Sequence, residues 1–228
     1  MRVFRFAASR RGFRGLKYTP ELSDWAINSL PSDYVQRPIA DEWTPPPLPG
    51  QFESLIDAFD DGSGSDKSDV EFPLGDITYF PGTNFLLLND VAIQRVPRLW
   101  QLGELLHVSA QGMDFHAFHA TRIRDAIDLA ASTYSGCQGH SPRKELSNVY
   151  VFGMDTSVLE EFDIFQVPQL STIFCTGSVV DELNEKGITG WSAAQVFPPL
   201  DKHLETEQKL LRSENTEFRE LHFRDGHP

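Results

Sequence analysis

Apolar and polar positions change period several times along the chain, and each change predicts an element. Thr19 is a helix cap and Pro20 suits the first helical position, so Leu22, Trp25 and Ala26 define the inner face of a helix over 20–30. Phe85-Leu-Leu-Leu88 is short enough for a strand or a helix face. After it, Asn89 or Asp90 caps a short helix whose Ala92 and Val96 share a stripe with Leu88, until Pro97 interrupts it. Glu104 to Ala110 alternates, with Leu106, Val108 and Ala110 on one face. Gln111-Gly112 then turns the chain into a second strand, Phe115 to His119, which predicts a hairpin.

Thr121 is the cap of a predicted helix over 121–131, because Ile123, Ala126, Ile127 and Ala130 fall at i, i+3, i+4 and i+7. Gly136 to Ser147 reads as a polar loop, and Val149-Tyr-Val-Phe152 is apolar on both faces, as in an inner strand. Ile164 to Val167 and Ile173 to Cys175 are further strands. Thr176 or Ser178 caps a helix over 178–186 with Val179, Val180 and Leu183 inward, and Gly187 followed by Ile188 stops it. Thr189-Gly190 turns into a last strand, Trp191 to Phe197. From Asp201 to Phe218 only Leu204, Leu210 and Leu211 interrupt the charged residues, which predicts a solvated helix or tail. The expected fold is α+β: one domain over 1–199 with a mostly antiparallel or mixed sheet and helices mainly on one side, then a charged segment over 200–228.

Composition narrows the function classes. With 228 residues, 40% of them hydrophobic, the chain has enough apolar surface for a substantial core. Its 33 acidic and 20 basic residues give a net charge of -13, which excludes a nucleic-acid-coating protein and favours a basic partner. The charge is uneven. Arg2, Arg5, Arg10, Arg11, Arg14 and Lys17, with Phe4, Phe6 and Phe13 among them, predict an edge strand and loop that pair with the protein's own acids. From Asp41 to Asp76 ten acidic residues face Lys67 alone. The centre of this stretch is a Gly/Ser-rich loop at about 57–71, in which Asp57, Asp60, Asp61, Asp66, Asp69 and Glu71 form a candidate partner-facing anionic patch. Upstream, Thr44-Pro-Pro-Pro-Leu-Pro-Gly50 reads as an extended surface connection. No signal sequence or apolar run of membrane length is read, so a soluble cytoplasmic protein is expected, with neither a membrane nor nucleic acid as its partner.

The densest set of chemical groups is Asp114, His116 and His119, followed by Arg122, Asp125 and Asp128. Two imidazoles and two carboxylates could hold a metal or divide acid and base work. The spacing opposes this, because residues three apart on a strand point to opposite faces. Gly12-Phe-Arg-Gly15 and Gly62-Ser-Gly64 lack a phosphate-loop lysine pattern, and no nucleophile elbow is present. Cys175, in an apolar strand, reads as an inert core thiol, and Cys137 as a loop residue beside Gly136. No cofactor, metal or catalytic residue is assigned.

Five stretches in order carry a resemblance: Gln36-Arg-Pro-Ile-Ala-Asp-Glu-Trp-Thr-Pro-Pro46, Leu86 to Leu99, Glu104-Leu-Leu-His107, Phe115 to Asp128 with its Arg-Asp-Ala-Ile-Asp core, and Ile173 to Phe197 with Lys-Gly-Ile-Thr-Gly-Trp. Together they resemble, over roughly residues 33–198, the eleventh-numbered immunity protein family of bacterial polymorphic toxin systems, long known as a domain of unknown function. The resemblance implies a protein that binds and blocks a toxin encoded by a neighbouring gene. It brings no catalytic residues, and it marks Asp125 and Asp128 as fold determinants. The alternatives are an enzymatic antidote using the His116 to Asp128 cluster and a general protein-binding adaptor.

Overall fold

The computed structural model describes residues 1–9, 12–16, 19–46, 52–54, 72–110, 112–138, 145–212 and 221–222. In chain order the elements are β1 (Val3–Ala8), β2 (Arg14–Leu16), α1 (Pro20–Ser29), β3 (Phe52–Ser54), β4 (Ile77–Tyr79), β5 (Leu86–Leu88), α2 (Asp90–Arg95), α3 (Pro97–Trp100), β6 (Glu104–Ala110) and β7 (Met113–His119). The order continues with β8 (Thr133–Gln138), β9 (Glu145–Val151), β10 (Ile164–Val167), β11 (Leu170–Thr176), α4 (Gly177–Glu185), β12 (Trp191–Phe197), α5 (Asp201–Arg212) and β13 (Leu221–His222). Helices and antiparallel sheets make this an α+β fold, as the sequence predicts. The backbone gathers into two compact units: one contains the described parts of 1–6, 122–181 and 193–228, the other those of 7–121 and 182–192. Among the described residues no helix is long and apolar enough to cross a membrane.

The unit of 7–121 and 182–192 is built on a sheet in the order β4-β5-β7-β6. The β6–β7 hairpin pairs Ala110 with Met113 and Glu104 with His119, and Gly112 takes the left-handed φ of 72° that the tight turn needs. Leu106, Val108, Ala110, Phe115 and Ala117 all face one buried cluster, joined there by Phe80, Phe85 and Leu87. Helix α1 adds Leu22 and Trp25 to that cluster, and its first turn is held by the Thr19 hydroxyl accepting the Leu22 N–H at 3.2 Å. Such a cap contributes about 1 kcal/mol. Asn89 caps α2 in the same way, accepting the Ala92 N–H at 2.9 Å. Pro97 does more than stop α2: at its first helical position it opens α3, which ends on the buried Trp100.

All four tryptophans of the chain lie in this unit, and each indole N–H donates to a backbone carbonyl. Trp25 reaches Thr44 (3.0 Å), Trp43 reaches His107 (3.0 Å), Trp100 reaches Ala92 (2.9 Å) and Trp191 reaches Ile188 (2.7 Å). Each ring thus buries apolar area without stranding its one polar atom.

The unit of 1–6, 122–181 and 193–228 holds a sheet in the order β10-β11-β1-β12 and a second in the order β13-β8-β9. The basic N-terminal strand is not at an edge: β1 lies between β11 and β12, with Phe4 opposite Cys175 and Arg5 opposite Phe174. Burial of Val3, Phe4 and Phe6 on its two faces explains the interior place, and Arg2 meets the acid Asp181 at 2.8 Å. The expected polar loop over 136–147 is partly strand, since β8 extends to Gln138 and β9 begins at Glu145, which also puts Cys137 in β8. Among the described residues strand β9 ends its sheet where an inner strand was expected, and α5 packs against it to cover its apolar residues.

The predicted helix over 121–131 does not form. The chain there is extended and turning, with Ile123 bridged to Gln166 and Ile127 bridged to Met154. Strand β10 supplies the competing partner, because the Arg122 carbonyl accepts the Gln166 N–H (2.8 Å) and the Arg124 N–H donates to the Gln166 carbonyl (2.8 Å). Ala126 and Ile127 are buried all the same, so the apolar spacing is real but is satisfied by another backbone. Helix α4 forms as expected, with Val179, Val180 and Leu183 buried. Its stop is a Schellman motif in which Gly187 (φ 63°) and Ile188 donate to Asn184 and Leu183.

Candidate functional site

The acidic patch Asp57, Asp60, Asp61, Asp66, Asp69 and Glu71 lies outside the described residues. The histidine and carboxylate cluster lies within them, and the structure disperses it. On β7, His119 shares the buried face with Phe115 and Ala117, whereas His116 is on the opposite face beside His107, with ring centroids 5.9 Å apart. His107 in turn meets Asp114 at 3.2 Å on exposed surface. His116 and His119 therefore point apart, as their spacing predicts.

His119 belongs to a structural tie. Its Nδ1 lies 3.0 Å from Glu104 Oε2, and its side chain is 0% exposed. Glu104 also accepts the Ile39 N–H (2.8 Å) and the Ala40 N–H (2.9 Å). An ionised carboxylate only accepts, so Nδ1 carries the imidazole proton. Burial pushes the His119 pKa below its ordinary value, with Glu104 acting against that shift. Phe85 and Tyr34 rings enclose the imidazole at 5.0 and 6.2 Å. Its side chain is closed off from solvent in this arrangement.

Asp125 and Asp128 also hold the fold. Asp128 accepts the Ala130 and Ala131 N–H groups (3.0 and 3.3 Å), closing the turn where the sequence predicted helix, and Asp125 accepts from the Gln169 amide at 2.9 Å. Arg122 and Arg124 fall on one side of the extended segment and clasp Asp163, whose side chain is 0% exposed, at 3.2 and 3.1 Å. Glu160 bridges the same two arginines, and the Arg122 guanidinium in particular holds its carboxyl below the ordinary range.

Four of the five stretches singled out in the sequence meet in pairs in space. Ile39 and Ala40 are held by Glu104, and Trp43 by His107, so the first stretch is bonded to the third. Arg98 pairs with Glu182 at 2.7 Å and Arg95 reaches the Lys186 carbonyl at 3.4 Å, joining the second to the fifth. Asp76 ties the same region: its carboxylate accepts the Thr189 N–H (2.9 Å) and hydroxyl (2.8 Å), and the Asn89 amide (3.2 Å). The backbones of Gly75 and Gly190 touch there, so that a Cβ on Gly75 would come 2.5 Å from the Gly190 Cα.

Glu104 and Asp163 are the organising carboxylates that sequence reasoning missed as such. The alternation of Arg122 and Arg124 is the one signal that could have pointed to Asp163, had the segment been read as extended. Cys175 is buried in β11, and burial raises its thiol pKa far above the ordinary value, consistent with the inert thiol expected. Among the described residues no three His, Cys, Asp or Glu side chains are placed to hold a metal ion. Compared with known proteins, the chain matches no family model and no curated protein.

Proposed function

We propose that this chain is an immunity protein that binds a cognate toxin domain in the cytoplasm of the producing cell and neutralises it by stoichiometric occlusion. The observation that carries the reading is the mutual bonding of the resembling stretches. Residues within those stretches, Ile39, Trp43, Glu104, His107 and Thr189, are engaged with one another or with Asp76, which supports a scaffold role for them. His119, Asp125 and Asp128 are committed to internal bonds in the same way, which favours binding over an enzymatic antidote. A net charge of -13 suits a basic target such as a nuclease domain, toward which it would steer association.

Co-expression with the toxin encoded next door, followed by size-exclusion chromatography in low and high salt, tests this reading. Host survival with a one-to-one complex is the expected result. Survival without any complex would overturn occlusion. Neutralising Asp57, Asp60, Asp61, Asp66 and Asp69 together should slow association about tenfold at low salt, and an unchanged rate would remove that patch from the recognition surface.

A further inference from the structure

The outer N–H and C=O groups of an edge strand are a template for another chain unless something covers them. Several edges here are covered. Gln166 in β10 is bonded by the backbone of Arg122 and Arg124, Ile77 in β4 donates to the Thr189 carbonyl at 3.0 Å, and the Trp43 indole occupies the His107 carbonyl of β6. Strand β12 is different. It ends the β10-β11-β1-β12 sheet, and its residues, Trp191-Ser-Ala-Ala-Gln-Val-Phe197, include neither a charge nor a proline, the residues that ordinarily keep an edge from pairing.

The phase of β1 settles which groups of β12 face outward. The Gly177 N–H donates to the Arg2 carbonyl (2.9 Å), so Arg2 and Phe4 turn their backbone groups to β11, and Val3 and Arg5 turn theirs to β12. Ser9, in phase with Val3 and Arg5, donates to the Gly190 carbonyl (2.8 Å). That register sets Arg5 opposite Ala194 and Val3 opposite Val196, and Val3 and Val196 do enter the same buried cluster. Ala193, Gln195 and Phe197 therefore aim their N–H and C=O groups away from the sheet, and among the described residues those groups meet no partner.

We propose that β12 is a self-pairing edge, on which a second copy of this chain adds its own β12 in antiparallel fashion about a two-fold axis at Gln195. The strand is complementary to itself in that register. Gln195 faces its counterpart, so the two side-chain amides can hydrogen-bond, while the small Ala193 and Ala194 face the second copy's bulkier Phe197 and Val196. Charge selects the same seam: copies with a net charge of -13 repel one another, and β12 brings no acid to the contact. This inference does not depend on the immunity reading.

Sedimentation velocity of the full chain over a hundredfold range of concentration tests the seam. One strand on each side makes a contact smaller than a standard interface, so a monomer–dimer equilibrium with a Kd on the order of 100 μM is expected, tightening as salt screens the acidic copies. Gln195→Lys and Gln195→Glu each set like charges opposite one another and should weaken the dimer about fivefold. Their thermal unfolding curves should stay near the parent's, because the side-chain bond that Gln195 makes to the Pro198 carbonyl is exposed. An equimolar mixture of the two variants sets Lys opposite Glu and should dimerise at least as tightly as the parent. Variants that dimerise as the parent does, or a mixture no tighter than its components, would overturn the self-pairing. A parent that stays monomeric at every concentration and salt would also overturn it, and would leave the edge to a strand of another protein.

Discussion

His119 and Glu104 face each other across the last rung of the β6–β7 hairpin, and the imidazole Nδ1–H donates to the carboxylate at 3.0 Å. The same carboxylate holds the Ile39 and Ala40 N–H groups, so one acid fastens both the open end of the hairpin and a segment 65 residues away. Glu104→Ala removes three charge-assisted bonds and should lower the unfolding free energy by about 3 kcal/mol. Urea denaturation measures this. A loss below about 1 kcal/mol would mean that water replaces the carboxylate without cost.

The same pair makes stability depend on pH. In the folded protein His119 binds its proton more weakly than at the ordinary value of 6.5, burial being the main cause. The unfolded chain therefore protonates first as pH falls, so this stabilisation is complete above about pH 6.5 and is lost as pH drops through the folded value. His119→Asn keeps a donor near Nδ1 and cannot titrate. Urea midpoints compared at about pH 7.5 and about pH 5.5 should fall less in the variant than in the parent, and equal falls would assign the acid sensitivity elsewhere.

Asp163 is the second fastening acid. Its side chain is 0% exposed, while Arg122 and Arg124 remain 31% and 27% exposed. Removal of one partner from a fully buried pair costs about 3–5 kcal/mol, and solvent around the two guanidinium groups reduces this, so Asp163→Ala should cost about 2–3 kcal/mol. Glu160→Gln, on the exposed side of the same arginines, should leave the urea midpoint near the parent's. Equal losses from both variants would show that burial is not what gives Asp163 its weight.

Two glycines separate backbone strain from crowding. Gly187 and Gly190 have φ of 63° and 79°, but a Cβ on Gly187 meets only Arg95 at 3.9 Å, whereas one on Gly190 would come 2.2 Å from the Ile77 carbonyl oxygen. Gly187→Ala should cost about 1 kcal/mol, from conformation alone. Gly190→Ala should cost more than about 2 kcal/mol, since Ile77 must move as well. Thermal unfolding of the two variants, with equal shifts as the contrary result, decides whether the Gly75–Gly190 contact is rigid.

Short-range physics was legible in the sequence. The Thr19 and Asn89 caps, the alternation of Leu106, Val108 and Ala110, and the Gly187 stop each need only a few neighbouring residues, and each forms as read. Long-range competition was not. The spacing of Ile123, Ala126 and Ile127 suits a helix, yet Gln166 offers its backbone and Asp163 its carboxylate, and neither is visible within the segment. Strand β8 was hidden for the same reason, because Thr133 to Gln138 is polar and gains its regularity from pairing with β9. In the candidate site, the opposite facing of His116 and His119 followed from spacing, but the role of Glu104 lay in partners far along the chain.

The tryptophans give the protein a built-in optical asymmetry. Trp25, Trp43, Trp100 and Trp191 all belong to the unit of 7–121 and 182–192, and each is pinned through its indole nitrogen. Fluorescence excited at the red edge of the absorption, where Tyr134 and Tyr150 of the other unit do not absorb, therefore reports on one unit, whereas far-ultraviolet circular dichroism sees the backbone of both. Superimposed melting curves from the two signals would mark a chain that unfolds in one step, and separated curves would time the release of each unit in turn.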